Sequence, residues 1–196
     1  MRPHETDHGH ICLGGLDVRD VRLDSLRQRV GLVTQEIQIF HASVRNNLSL
    51  FDETLSDARM REILADLGLD DWLRQLPQGL DTVLTPHGAG MSAGEAQLLA
   101  FARVFLRDPG LIILDEASSR LDPATERLLE HAIDRLFERR TGVVIAHRLA
   151  TIQRVDQILI LGSEGVREWG SRKVLERDAN SAFSKLLRTG AQALLG

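Results

Sequence analysis

Three observations place the sequence in the α/β class with a mainly parallel sheet. Short apolar runs, Val30–Thr34, Leu111–Leu114 and Val143–Ala146, each stop at a polar or charged residue. Stretches of helical periodicity separate them, the alternation expected of β-α-β units. A long helical stretch, about 41–107, stands between the first and second runs and reads as a helical subdomain inserted in the α/β core. The chain has 196 residues, enough for a single domain, 1–196, with such an insertion. At that length a folded chain buries about 70% of the surface it exposes when unfolded, so a substantial core is expected.

In chain order, His10–Leu13 and Leu16–Val18 flank Gly14-Gly15 and predict a small hairpin. Leu23–Arg29 reads as a short helix leading into the strand that stops at Gln35. Within the helical stretch, Leu55, Met60, Ile63, Leu64 and Leu67 recur at helical spacing and end at Gly68. Trp72, Leu73 and Leu76 follow, before Pro77 and Gly79 break the pattern. Ser92 is an N-cap for a helix over Ala93–Arg107, and Glu95 completes a capping box. Asp122 and Pro123 open another helix running to about Arg140. Its apolar side is Leu128, Leu129, Ile133, Leu136 and Phe137. Gln157–Leu161 and Val166–Trp169 predict two strands around a Ser163–Gly165 turn, and two short helices follow.

Composition removes several function classes. The net charge is −4, so phosphate neutralisation on a nucleic acid is not expected. Aromatic residues are 4% with no tyrosine, which leaves little for base stacking. No apolar run reaches the roughly 18–20 residues of a membrane-spanning helix, and Met-Arg-Pro-His-Glu-Thr-Asp does not read as a signal peptide. Cys12 is the only cysteine, so no internal disulfide forms.

The chemistry-bearing residues gather at element ends. Leu111–Leu114 delivers Asp115-Glu116 at a strand's carboxyl end, where open α/β sheets place their ligands. In phosphoryl-transfer sites one acid serves Mg²⁺ and a second polarises the attacking water. Alone, the pair is better read as a strand ending in a polar turn, and only its neighbours overturn that reading. Ser92-Ala93-Gly94-Glu95 sits at a helix start, where free N–H groups and the dipole favour an anion. Gln35 ends an earlier strand, Asp122 follows the acids, and His147 ends the next strand, one β-α-β step onward. Together these ends meet the needs of a Mg-nucleotide site.

With these residues in hand, the chain resembles the nucleotide-binding domain of ATP-binding cassette (ABC) transporters, exporter type. The resemblance rests on Val30–Gln35 (Q-loop), Met91–Glu95 (signature variant), Leu111–Glu116 (Walker B), Ser119–Asp122 (D-loop) and Ile145–His147 (H-loop). It implies a P-loop NTPase-like (RecA-like) fold with ATP and Mg²⁺ as cofactors. It further implies Glu116 as general base, Asp115 as the Mg²⁺ carboxylate and Gln35 as a Mg²⁺ and water contact. His147 would touch the γ-phosphate. Ser92 and Gly94, with Glu95 beside them, would face ATP held by a partner, and Asp122 would communicate across the pair. The implied partners are a second nucleotide-binding domain, head to tail, and an exporter's transmembrane domain at the inner face of the cell membrane. The implied location is cytoplasmic.

The family's phosphate loop, G-x-x-x-x-G-K-[ST], does not occur in these residues, and no lysine precedes Lys173. The expectation is a partial domain lacking the N-terminal phosphate-loop strand and helix, with weak ATP binding by residues 1–196 alone. By resemblance, the absent strand would lie between Val143–Ala146 and Gln157–Leu161. Three alternatives stay open: a non-catalytic partner lending its signature in trans, an inactive truncated product, and a DNA-maintenance ATPase. Against the last, no sustained heptads occur.

Overall fold

Residues 8–85, 91–115, 122–146 and 149–188 are described by the computed structural model. The strands are β1 (Cys12–Leu13), β2 (Leu16–Asp17), β3 (Val30–Val33), β4 (Ala42–Ser43), β5 (Val83–Leu84), β6 (Leu111–Asp115), β7 (Thr141–Ile145), β8 (Gln157–Gly162) and β9 (Gly165–Ser171). The α-helices are α1 (Leu23–Arg29), α2 (Val44–Ser49), α3 (Asp57–Asp66), α4 (Asp70–Gln75), α5 (Ala93–Arg107), α6 (Pro123–Phe137), α7 (Leu149–Ile152), α8 (Arg172–Arg177) and α9 (Ala182–Arg188). The chain divides into two compact units, one spanning 1–114 and 119–143 and the other 115–118 and 144–196.

Side-chain caps fix the helix starts of the first unit. Ser43 accepts from Asn46 N at 3.1 Å to open α2, and Ser56 accepts from Arg59 N at 3.3 Å to open α3. Each cap satisfies an N–H that the helix itself leaves without an acceptor. The chain leaves α3 through Gly68 at φ +73°, where a Cβ would also stand 2.9 Å from Leu128 Cδ2. Gly68 therefore meets two demands at once, a left-handed backbone and close packing against α6. The expected helical stretch also contains a feature without periodicity. β4 and β5 pair antiparallel, Ala42 opposite Leu84 and Ser43 opposite Val83.

The sheet of this unit has the order β3-β6-β7. β3 and β6 are parallel, from Val30 opposite Leu111 to Val33 opposite Leu114. Val33, Ile112 and Leu114 are buried. Gly31 lets β3 approach closely, since a Cβ there would lie 2.8 Å from both Pro109 Cγ and Val104 Cγ1. Helix α5 packs against β3, α2, α3 and α6. Leu98, Leu99, Phe101, Ala102, Val104 and Phe105 on it are all buried, so apolar residues cover more than one of its faces. Trp72 of α4 is also buried, and its Nε1 has no hydrogen-bond partner among the described residues. Helix α6 ends at Phe137, short of Arg140, because Glu138 turns extended and Arg139 adopts φ +59°.

In the second unit β8 and β9 form an antiparallel hairpin, with a register shift between Ile160 and Leu161. Leu159 opposes Trp169 and Leu161 opposes Val166, and all four side chains are exposed. Trp169 Nε1 donates to Gln157 Oε1 at 2.6 Å. Glu168 opens α9 from a neighbouring strand, its carboxylate accepting from Ala182 N at 3.0 Å and Phe183 N at 2.8 Å. A carboxylate at that position also complements the positive end of the helix dipole.

Candidate functional site

Because β3 and β6 are parallel and in register to their ends, both chains leave the sheet at the same edge. Asp115 is the last residue of β6 and is half-buried. Gln35 lies just past β3 in an exposed bend, which Thr34 tightens by donating its hydroxyl to Glu36 O at 2.8 Å. An oxygen-bearing side chain thus follows each strand, at the end where parallel sheets receive ligands. Glu116 and His147 lie outside the described residues.

The start of α5 is built as its sequence requires. Ser92 Oγ accepts from Glu95 N at 3.2 Å, and Ser92 N donates to the Glu95 carboxylate at 2.6 Å. Ser92 is exposed and Gly94 is buried in the first turn. Glu95 therefore occupies, with a negative charge, an N–H that an incoming anion would otherwise use. Glu95→Gln keeps the capping-box acceptor and removes the charge. Thermal melts of the variant should show α5 losing about 0.5 kcal/mol of dipole complement.

Asp122 caps α6. Its Oδ1 accepts from Ala124 N at 3.1 Å and Thr125 N at 3.0 Å, and Oδ2 accepts from the Thr125 hydroxyl at 2.5 Å. The Thr125 hydroxyl first, and its N–H second, hold this carboxyl below the usual carboxylate range. A depressed folded pKa adds stability above the unfolded value, lost as pH falls through the folded one. The cap of α6 thus persists at pH values where an unfolded aspartate protonates.

Two buried or half-buried polar residues escaped the sequence reading, Asn47 on α2 and Arg103 on α5. Asn47 Nδ2 donates to the carbonyls of Phe40, Ala42 and Ser43, and its Oδ1 accepts from Phe40 N. Each interrupts an apolar stripe, Asn47 beside Val44 and Leu48, and Arg103 one turn from Leu99. A polar residue on such a stripe is the signal that could have found them.

Among the described residues no group of three His, Cys, Asp or Glu side chains gathers as a metal cage. Mg²⁺ rarely needs one, since it keeps several waters and takes one or two carboxylates together with substrate phosphates. The Asp115 carboxylate is a donor of the kind that hard cation takes, and the N-terminal turn of α5 is of the kind a phosphate takes.

The described residues form an α/β domain in which Asp115 ends β6, Gln35 follows β3 and Ser92 caps α5. The family model described as ABC transporter matches residues 1–119, and the chain belongs to that family. Its fold is that of the P-loop NTPases. It is 35% identical to ABC transporter B family member 21 of Arabidopsis thaliana over 95% of this chain and 14% of that protein. It is 36% identical to the ATP-dependent lipid A-core flippase of Haemophilus influenzae over 94% of this chain and 32% of that protein. Among solved structures it resembles a bacterial Atm1-family ABC exporter with ATP bound, with a TM-score of 0.83, 30% identity, and coverage of 96% of this chain and 33% of that one. The chain spans a third or less of the length of these relatives. No helix among the described residues is long and apolar enough to cross a membrane.

Proposed function

We propose that this chain is part of the ATP-binding and ATP-hydrolysing domain of an ABC exporter that powers transmembrane transport, a part whose residues 1–196 hold no G-x-x-x-x-G-K-[ST] loop. It works head to tail with a second nucleotide-binding domain, at the cytoplasmic face of the membrane, beneath a transmembrane partner. The observation that carries this reading is the parallel register of β3 and β6 through Val33 and Leu114, which sends Gln35 and Asp115 out at one sheet edge. Family membership supports it.

Bound Mg-ATP supplies the phosphoanhydride bond and the charge that the protein must stabilise. Asp115 would offer its carboxylate to the cation, and Gln35 its amide oxygen to the cation and its amide to water. Glu116 would take the proton of the attacking water as general base. His147 would serve the terminal phosphate as a ring N–H donor. Ser92 Oγ–H and the Gly94 N–H serve the phosphate of the partner's nucleotide, drawing on the positive end of α5. Asp122 carries the state of one site to the other.

The lack of a G-x-x-x-x-G-K-[ST] loop in residues 1–196 favours a narrower reading, in which the chain lends Ser92 and Gly94 without hydrolysing ATP. Ser92→Arg tests what the two readings share. It removes the cap, at a cost of about 1 kcal/mol of helix stability, and puts a bulky side chain where the phosphate must approach. Mixed with a competent nucleotide-binding partner, this variant should lose at least about tenfold in ATPase rate relative to wild type, roughly one charge-assisted contact. An unchanged rate would sink the role of Ser92 in trans.

A further inference from the structure

Arg103 projects from the middle of α5 into a cavity of about 380 Å³ whose lining includes Val33, Gln38, Phe40, Leu50 and Arg107. Its Nε donates to Asn47 O at 2.7 Å, Nη1 to Gln38 O at 2.9 Å and Nη2 to Asn47 Oδ1 at 3.1 Å. The guanidinium carbon stands 5.8 Å from the centre of the Phe40 ring. None of these acceptors is charged, and no described carboxylate pairs with Arg103. Burial first, and the nearby positive charge of Arg107 second, push the Arg103 pKa down to about 10.

The guanidinium is half-buried and its donors all meet neutral oxygens of Asn47 and Gln38, so a shift of either element costs it these bonds. Asn47 is fully buried and grips the backbone at Phe40, Ala42 and Ser43 through its amide, while Arg103 grips it at Gln38. The segment leaving Gln35 is thus fastened to α5 some 16 Å along the helix from Ser92, at 1.5 Å per residue. A partial shift of either element would break several of these bonds together, so the two elements are favoured to move jointly.

We propose that Arg103, seated on Asn47, is a positioning residue that ties the backbone after Gln35 to the helix beginning at Ser92, so that the two polar ends move as one. The proposal rests on the functional reading above for its consequence in turnover, but the tie itself is testable without it.

Amide hydrogen exchange on the full chain, comparing wild type with Arg103→Met and Arg103→Lys, reads the tie directly. Arg103→Met should speed exchange at residues 36–41 by about tenfold or more while β6 and α6 keep their protection. Arg103→Lys, which retains a donor and the charge, should fall between the two. A rise shared equally by β6 and α6, or no rise at 36–41, overturns the proposal. In the second arm Arg103→Lys is assayed with a competent partner. It should lower kcat by about tenfold and leave KM for ATP within about twofold, the pattern of a lost alignment rather than lost binding. An unchanged kcat also overturns the proposal. If the wild-type mixture shows no ATPase beyond the partner alone, the functional reading fails, and the exchange result still decides the tie.

Discussion

Glu116→Gln is expected to abolish hydrolysis at the site that Asp115 and Glu116 complete, with a rate loss of about 10²–10⁴-fold, the usual worth of a general base. The amide keeps the size and hydrogen-bonding reach of the carboxylate but cannot take a proton near neutral pH. Whatever ATP-dependent pairing the wild type shows should survive, because Asp115, Gln35 and the start of α5 are untouched. The assay is single-turnover ATP hydrolysis by the chain assembled with a competent partner, alongside a measure of ATP-dependent pairing. It also separates the two readings of function. If the chain only lends Ser92 and Gly94, Glu116→Gln leaves the rate of the mixture unchanged while Ser92→Arg still lowers it.

Phe101→Ala should have the largest effect on folding. Phe101 has no exposed surface and sits mid-way along α5, which packs against β3, α2, α3 and α6. Truncation there removes a ring and leaves a cavity that four surrounding elements cannot all close. The expected loss is about 3–5 kcal/mol, a large share of a typical domain's stability of about 5–15 kcal/mol. Urea unfolding monitored by circular dichroism would measure it. Phe51→Ala is the matched control, since Phe51 is mostly exposed and its removal should shift stability by no more than about 0.5 kcal/mol. Equal losses in the two variants would mean that α5 is not the centre of the core.

Locally encoded features were legible in the sequence. The capping box of Ser92 and Glu95, the Asp122-Pro123 start of α6 and the helix over Leu23–Arg29 each need only a few adjacent residues, and all are present. The apolar run Leu111–Leu114 forms the central strand of the three-stranded sheet, parallel to β3 as expected. Features that depend on distant partners were not legible. β4 and β5 are two residues each, too short for any periodicity, and they pair across α2, α3 and α4. The cap that Glu168 provides to α9 joins a strand to a helix beyond an intervening helix. Arg103 and Asn47 belong to residue types that usually face solvent, and only the carbonyls around them explain their burial. Leu128, expected on the apolar side of α6, is partly exposed, but it supplies the methyl groups that exclude a Cβ at Gly68. For the candidate site, the sequence supplied each residue type and the strand or helix end that carries it. The register of β3 and β6 is what brings two of those ends to one edge.

The two tryptophans differ in a way that gives this chain a built-in optical gauge. Trp72, 8% exposed, belongs to the first unit, and Trp169, 70% exposed, belongs to the second. With no tyrosine in the sequence, ultraviolet emission comes almost wholly from these two indoles. Iodide in the buffer should silence the outer one and leave a blue-shifted signal from the inner one. A single cuvette can then follow the melting of one unit without interference from its neighbour.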